Sequence, residues 1–234
     1  MRIRGRPISA ARIAGWLRRQ IAPTRQDRLA QIPGWTHPVQ LEFLTNAVRA
    51  LPDGSRIVEV GVWQGRSALT MADACRGTTK RVYAVDPWAD YIQDDAVEER
   101  FRGESRSHLR ECGVGSFEEV YRNFLRFRAR LGLEAWCIPV RAASAEAAGN
   151  WVAGPVSLLF IDGNHDRTAV TADLEVWARH LTSASLVCGD DWIWPSVREA
   201  VTAYAAAHGH QVVLPCANTW SFRPPDVSTR RAIE

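Results

Sequence analysis

The 234-residue chain lacks paired cysteines, long apolar runs, repeats and low-complexity tracts. Its five cysteines (Cys75, Cys112, Cys137, Cys188, Cys216) are odd in number and scattered, with no Cys-x-x-Cys pair. That spacing argues against a disulfide framework and against a zinc site. Cys137 and Cys188 fall inside predicted strands and are expected as buried thiols. The longest strongly apolar run, near Val156 to Ile161, is far short of the ~20 residues that span a bilayer. No apolar stretch of signal-peptide type opens the chain, so a cytoplasmic compartment is expected. With no period of repeat length, a solenoid is excluded. A net charge of only +3 gives no case for nucleic-acid binding, because eight arginines lie before residue 30 and the remainder is slightly acidic.

What is present is a basic arm followed by an alternation of strands and helices. Residues 1–36 are basic and broken by Pro7, Pro23 and Pro33. Within them Ile13, Trp16, Leu17 and Ile21 share one helical face beside Arg12, Arg18 and Arg19. Such a face suits either an anionic membrane surface or packing on the domain or on a second subunit, which makes a homo-oligomer an expectation. Residues 37–234 then read as one domain. A helix is expected from Pro38 to about Ala50, and strands over Arg56–Val60, Arg81–Asp86, Ala135–Val140, Val156–Asp162 and Ser185–Asp190. Helices are expected over Ser67–Cys75, Ala169–Leu181 and Val197–His208. Two closing strands, Gln211–Leu214 and Thr219–Arg223, are joined by a link short enough to permit only antiparallel pairing. The pattern predicts an α/β fold: a seven-stranded Rossmann-like sheet, mostly parallel, with an antiparallel final strand and helices on both faces. The long polar stretch 88–133 reads by position as a lid or acceptor region, or as a solvated face.

Three clusters carry chemistry. In Glu59-Val60-Gly61-Val62-Trp63-Gln64-Gly65-Arg66-Ser67, a strand runs through a glycine turn into a helix. Gly61 and Gly65 permit a sharp turn and close approach of a ligand. The helix start offers backbone N–H groups to an anionic moiety, and Glu59 offers an acceptor to an ammonium group. The same residues would also serve as a plain structural turn. Asp86 ends the next strand, where an acid can bind both ribose hydroxyls of a nucleoside, or simply cap a turn. Trp88, two residues on, would stack on a base or pack in the core.

The third cluster combines Phe160-Ile161-Asp162-Gly163-Asn164-His165 with Val187-Cys188-Gly189-Asp190-Asp191-Trp192. Both acidic groups sit at carboxyl ends of neighbouring predicted strands, the ligand edge of an open α/β sheet. Three crowded carboxylates repel one another unless neutralised, and a hard divalent cation such as Mg²⁺ would do so. Asp162, Asp190 and Asp191 are therefore candidate metal ligands; the alternative is that Asp190 and Asp191 cap the following helix.

The elements Glu-x-Gly-x-x-x-Gly-x-Ser, Val-Asp-Pro-Trp, Ile-Asp-Gly-x-His and Gly-Asp-Asp-Trp, in that order, resemble the metal-dependent small-molecule O-methyltransferases of class I. Catechol and macrocin-type sugar O-methyltransferases are similar, and the pattern is nearest to the bacterial family-24 methyltransferase domain. The resemblance covers about residues 40–224 and omits the basic arm. It implies S-adenosylmethionine (SAM) bound by Glu59, Gly61, Gly65, Ser67 and Asp86, with Trp88 and Asp162 beside it. It places Ser144 in the adenine-side loop and Asp162, Asp190 and Asp191 around a divalent metal. His165 stands where catechol-type enzymes carry a lysine base, so it is base, metal ligand or substrate contact. The activity implied is methyl transfer to a hydroxyl of a small molecule, a sugar or glycosylated natural product being preferred. Proximity to an activated methyl, metal-lowered hydroxyl pKa and proton transfer to His165 would supply the rate. Trp192 and Trp194 either wall the acceptor site or pack. An NAD- or nucleotide-sugar-dependent oxidoreductase and a non-catalytic SAM-binding protein are the alternatives.

Overall fold

The computed structural model describes the backbone of residues 2–3 and 6–7 and, in full, residues 24–89 and 107–222. The chain divides into two units, Met1–Ile32 and Pro33–Glu234. The proposed amphipathic face at Ile13 to Ile21, residues 90–106 of the expected lid and Arg223 lie outside the described residues.

In the smaller unit, Arg2–Ile3 pairs antiparallel with Arg6–Pro7. Helix Arg25–Ala30 starts on a reciprocal cap: Thr24 Oγ1 accepts from Asp27 N, and Asp27 returns a bond to Thr24 N.

The larger unit is a single seven-stranded sheet with helices on both faces. In chain order its elements are α1 (Pro38–Ala50), β1 (Arg56–Val60), α2 (Arg66–Ala74), β2 (Arg81–Val85), α3 (Phe117–Leu131), β3 (Cys137–Val140), α4 (Ser144–Gly149), β4 (Val156–Ile161), α5 (Arg167–Ala178), β5 (Leu181–Gly189), α6 (Pro195–His208), β6 (Val213–Cys216) and β7 (Thr219–Phe222). The strand order is β3-β2-β1-β4-β5-β7-β6. The first five strands run parallel, and β7 lies antiparallel between β5 and β6. This is the class I methyltransferase sheet expected from the strand–helix alternation.

The pattern of burial explains the order. Strands β1 and β4 stand in the middle and are apolar on both faces, as parallel strands covered by helices must be. Val58, Val60, Leu159 and Ile161 meet Leu174, Trp177 and Val201 of α5 and α6 on one side. The alternate residues Ile57, Leu158 and Phe160 are equally buried and belong to the other face. Within this seven-stranded sheet proline occurs in two strands, β3 (Pro139) and β6 (Pro215), and these are its two edges, the positions where a missing ladder donor is tolerated. Gly189 ends β5 directly under Trp220 of β7: a Cβ there would lie 2.3 Å from the indole ring.

The boundaries differ from the sequence expectations in two informative places. Strand β5 begins at Leu181, where the preceding helix was expected to end, because Val156 pairs with Leu181 at the start of the sheet. The closing strands are joined by a two-residue turn, 217–218, with Asn218 at φ 61. Part of the expected lid is core structure. Helix α3 buries Val120, Phe124 and Leu131, is capped by Ser116 and ends on Gly132 at φ 62.

Candidate active site

A cleft of about 430 Å³ opens at the carboxyl ends of the central strands. Its floor begins with the glycine turn. Gly61 N donates to Val85 O at 2.9 Å, and Asp162 N donates to Val60 O at 2.8 Å, so the ladder holds β1, β2 and β4 together up to the cleft. Gly61 sits at φ +84, and a Cβ there would come within 2.2 Å of the Asp162 carbonyl oxygen. Only glycine lets those two chain segments touch. Gly65 is the N-cap of α2, with φ 89 and no side-chain cap. A Cβ on it would meet Phe124 of α3 at 2.5 Å. An uncapped helix start of this kind is suited to an anionic group.

Glu59 lies fully buried behind this turn. Its Oε1 accepts from Ser67 Oγ at 2.5 Å, while Oε2 has no hydrogen-bond partner. Burial pushes its pKa to about 8; the Ser67 bond works against the shift and the nearby Asp86 charge adds to it. A buried carboxyl oxygen without a donor is costly to leave unpaired, and an ammonium ion is the group that would satisfy it. Ser67 lines the cleft and connects Glu59 to it.

Asp86 also lines the cleft, but it closes the loop itself. Its Oδ2 accepts from Val62 N at 2.9 Å and Trp63 N at 3.0 Å, and its Oδ1 from Trp88 N at 2.6 Å. Burial raises its pKa against these three bonds. A carboxylate offers about four acceptor sites, so one remains for a ligand. Trp88 packs: it is 2% exposed, stacks on Phe124 at 5.1 Å and donates through Nε1 to Trp63 O. Ser144 is not among the cleft-lining residues. It begins α4 and accepts from Trp177 Nε1 at 3.0 Å.

The acidic residues gather in the same cleft. Asp162, Asp190 and Asp191 all line it. Burial and then the charges of Asp190 and Asp191 hold the Asp162 carboxyl well above the usual range. Asp190 is pushed up to about 6 by burial and by Asp191. Three donors converge on Asp190 Oδ1: Gln40 Nε2 at 2.6 Å, Asp191 N at 2.7 Å and Asn218 Nδ2 at 2.9 Å. Asp191, at φ 65, turns instead to His165, with Oδ2 2.7 Å from Nε2. The His165 ring stacks on Trp194 at 5.4 Å. The three acids therefore meet at the cleft. Among the described residues no group of three or more His, Cys, Asp or Glu is arranged to hold an ion. In this arrangement Asp191 faces His165, and one Asp190 oxygen takes three protein donors.

The sequence missed several cleft residues. Pro33, Gly34, Trp35 and Thr36, assigned to the arm, belong to the larger unit and line the cleft. Asn218, which also lines the cleft, and Gln40, which donates to Asp190, carry no sequence signal beyond a turn and a helix start. Of the two tryptophans after the acidic pair, Trp194 lines the cleft and Trp192 does not; Ile193 does, and it is 67% exposed.

A methyltransferase-domain family, family 24, matches residues 58–192, the span from β1 to just past the acidic pair. The chain belongs to this methyltransferase family. Membership overturns the oxidoreductase alternative. No curated protein matches this methyltransferase in sequence. Among solved structures it is similar to the O-methyltransferase NovP, at 17% identity and TM-score 0.62, covering 79% of this chain and 78% of that one. It is also similar to the calicheamicin methyltransferase CalS11 (16%, TM-score 0.59, 94% and 95% covered). A third is an O-methyltransferase from Bacillus cereus in complex with SAH (15%, TM-score 0.58, 91% and 97% covered). These likenesses establish the class I fold. Among the described residues, no helix of the methyltransferase is long and apolar enough to cross a membrane.

Proposed function

We propose that the chain is a SAM-dependent O-methyltransferase acting on a hydroxyl of a small molecule, with a sugar or glycosylated natural product preferred. One observation carries this: a His165–Asp191 pair at 2.7 Å shares one cleft with a glycine turn backed by the unpartnered Glu59 oxygen. A proton acceptor and an ammonium acceptor thus stand by one cavity large enough for a small ligand. NovP, CalS11 and the Bacillus cereus protein with its bound SAH are in keeping with this.

Bound SAM supplies a methyl group on a sulfonium, already activated for transfer. The residues of the chain supply the rest. Glu59 and Ser67 receive the amino group, and Gly61 and Gly65 let the turn approach the carboxylate. Asp86 offers its remaining acceptor site to the ribose. His165 would take the hydroxyl proton on the ring nitrogen that does not face Asp191, since Nε2 is the atom paired with that carboxylate. The proton leaves as the new C–O bond forms and the C–S bond breaks, leaving the thioether product. Asp191 orients the imidazole and stabilises it once protonated.

Metal dependence is a second reading, favoured by the gathering of Asp162, Asp190 and Asp191 in one cleft, where burial and their neighbours' charges raise Asp162 and, through Asp191, Asp190. Asp162, Asp190 and Asp191 would hold a divalent cation, Mg²⁺ foremost, provided Asp191 exchanged His165 for the ion. Calorimetry with SAH and with NAD tests the cofactor, and transfer of labelled methyl from SAM to a panel of diols and glycosides tests the reaction. NAD binding in place of SAH would overturn the proposal. Loss of transfer in EDTA, restored by Mg²⁺, would establish the second reading. Full activity in EDTA would remove it.

A further inference from the structure

The cleft carries an aromatic rim that neither methyl-donor binding nor proton transfer uses. Trp35 precedes α1, Trp63 lies in the glycine turn, His108 belongs to a helical turn at residues 107–111, and Phe117 opens α3. The Trp35 ring is 4.4 Å from His108 and 5.7 Å from Trp63, and Trp63 meets Phe117 edge-on at 6.3 Å. Four rings from separate segments thus form one surface, and all four line the cleft. Trp35 is 52% exposed, as large a residue as a folded chain can leave in water. Ile193, on the acidic side of the same cleft, is more exposed still. Large apolar groups exposed together at a cavity mouth mark a binding surface. A second observation points the same way: the Trp63 Nε1–H is buried and has no acceptor among the described residues. It is a donor held in reserve for a ligand oxygen.

Charge narrows the ligand. Four aspartates line the cleft (Asp86, Asp162, Asp190, Asp191), against one arginine or lysine among the described lining residues, Arg66. A phosphate or diphosphate brought into this lining would meet more carboxyl groups than cationic side chains. Recognition must therefore come from ring faces and neutral polar groups.

We infer that the acceptor is an uncharged molecule with a planar apolar face, an aryl ring or aryl glycoside, seated on the Trp35–Trp63–His108 surface, and that Trp35 determines this specificity. The inference rests on the O-methyltransfer reading and sharpens it, since it excludes nucleoside-diphosphate sugars. The acceptor ring packs on Trp35, an ether or glycosidic oxygen takes the Trp63 N–H, and the hydroxyl points to His165.

The test is calorimetric and needs no turnover. The protein saturated with SAH is titrated with 4-nitrophenyl glucoside, methyl glucoside and TDP-glucose. The aryl glucoside binds best, and the other two bind at least about tenfold more weakly, the scale of one good aromatic contact. Trp35→Ala lowers aryl glucoside affinity by about tenfold, Trp35→Phe restores most of it, and the SAH affinity of both variants stays at the parent value. TDP-glucose binding as tightly as the aryl glucoside, or no aryl glucoside binding, overturns the inference. So does a Trp35→Ala variant that weakens SAH instead. If SAH itself does not bind, the methyltransfer reading falls and this one with it; SAH binding without aryl preference removes only the acceptor class.

Discussion

Replacing Gly61 by alanine puts the tightest contact of the cofactor turn under load. Two terms contribute. The residue sits at φ +84, where an L side chain costs about 1–2 kcal/mol, offset in part by the lower entropy of the unfolded alanine chain. The new Cβ would lie 2.2 Å from the Asp162 carbonyl oxygen and 2.5 Å from Gly163 Cα, well inside the 3.4 Å where ordinary contact begins. Both neighbours are backbone, so no rotamer change can relieve the clash, and β1 and β4 must separate at the cleft. Overpacking of this type costs about 1–3 kcal/mol, and weakening the Asp162 N to Val60 O bond adds about 1 kcal/mol. The total is about 3–5 kcal/mol, a large part of ordinary domain stability. For a chain of this size that lowers Tm by roughly 6–20 °C. Gly77 isolates the first term, because it has φ +76 and nothing within 4 Å of its built Cβ. Gly77→Ala should therefore lose about 1 kcal/mol, or roughly 2–4 °C. Thermal unfolding followed by circular dichroism compares the two, and SAH calorimetry on Gly61→Ala should show weakened binding. Equal Tm losses in both variants would refute the contact as the reason for the glycine.

The elevated Glu59 carboxyl makes the free protein pH-sensitive. Folding raises its pKa from 4.5 to about 8, so the folded state holds a proton that the unfolded state releases, and stability falls as pH rises from 4.5 towards 8. Asp162 and Asp190 contribute with the same sign. Glu59→Gln should flatten the decline in Tm across that window while weakening SAH binding; an unchanged slope would count against the buried carboxyl. Gln40→Leu removes the donor to Asp190 Oδ1 and Thr219 Oγ1 and the acceptor for His37 N. Leaving buried partners unmatched should cost about 1–3 kcal/mol, read as a lower midpoint in urea with unchanged slope. His165→Ala should abolish methyl transfer at neutral pH yet leave SAH affinity at the parent value, and a variant with full activity would remove His165 as the base.

The sheet and the ends of its strands were legible in the chain alone because their causes are local. The apolar runs Arg56–Val60 and Val156–Ile161 mark doubly covered strands, Gly61 and Gly65 mark a turn that needs positive φ, and the acids after Ile161 and Gly189 must then fall on one edge of the sheet. Boundaries shifted where pairing overrode local preference, as at Leu181. What a side chain touches was another matter. Gln40 reaches Asp190 across 150 positions of chain, and nothing near either residue announces the bond. Asp191 faces His165, and Ile193 rather than Trp192 lines the cleft. Trp35 left the arm for the cleft wall. Periodicity and glycine conformations act over a few residues and are written in composition and spacing. Hydrogen-bond partners depend on strand register and on the rotation of a turn by a single residue, and those are decided only when distant segments pack.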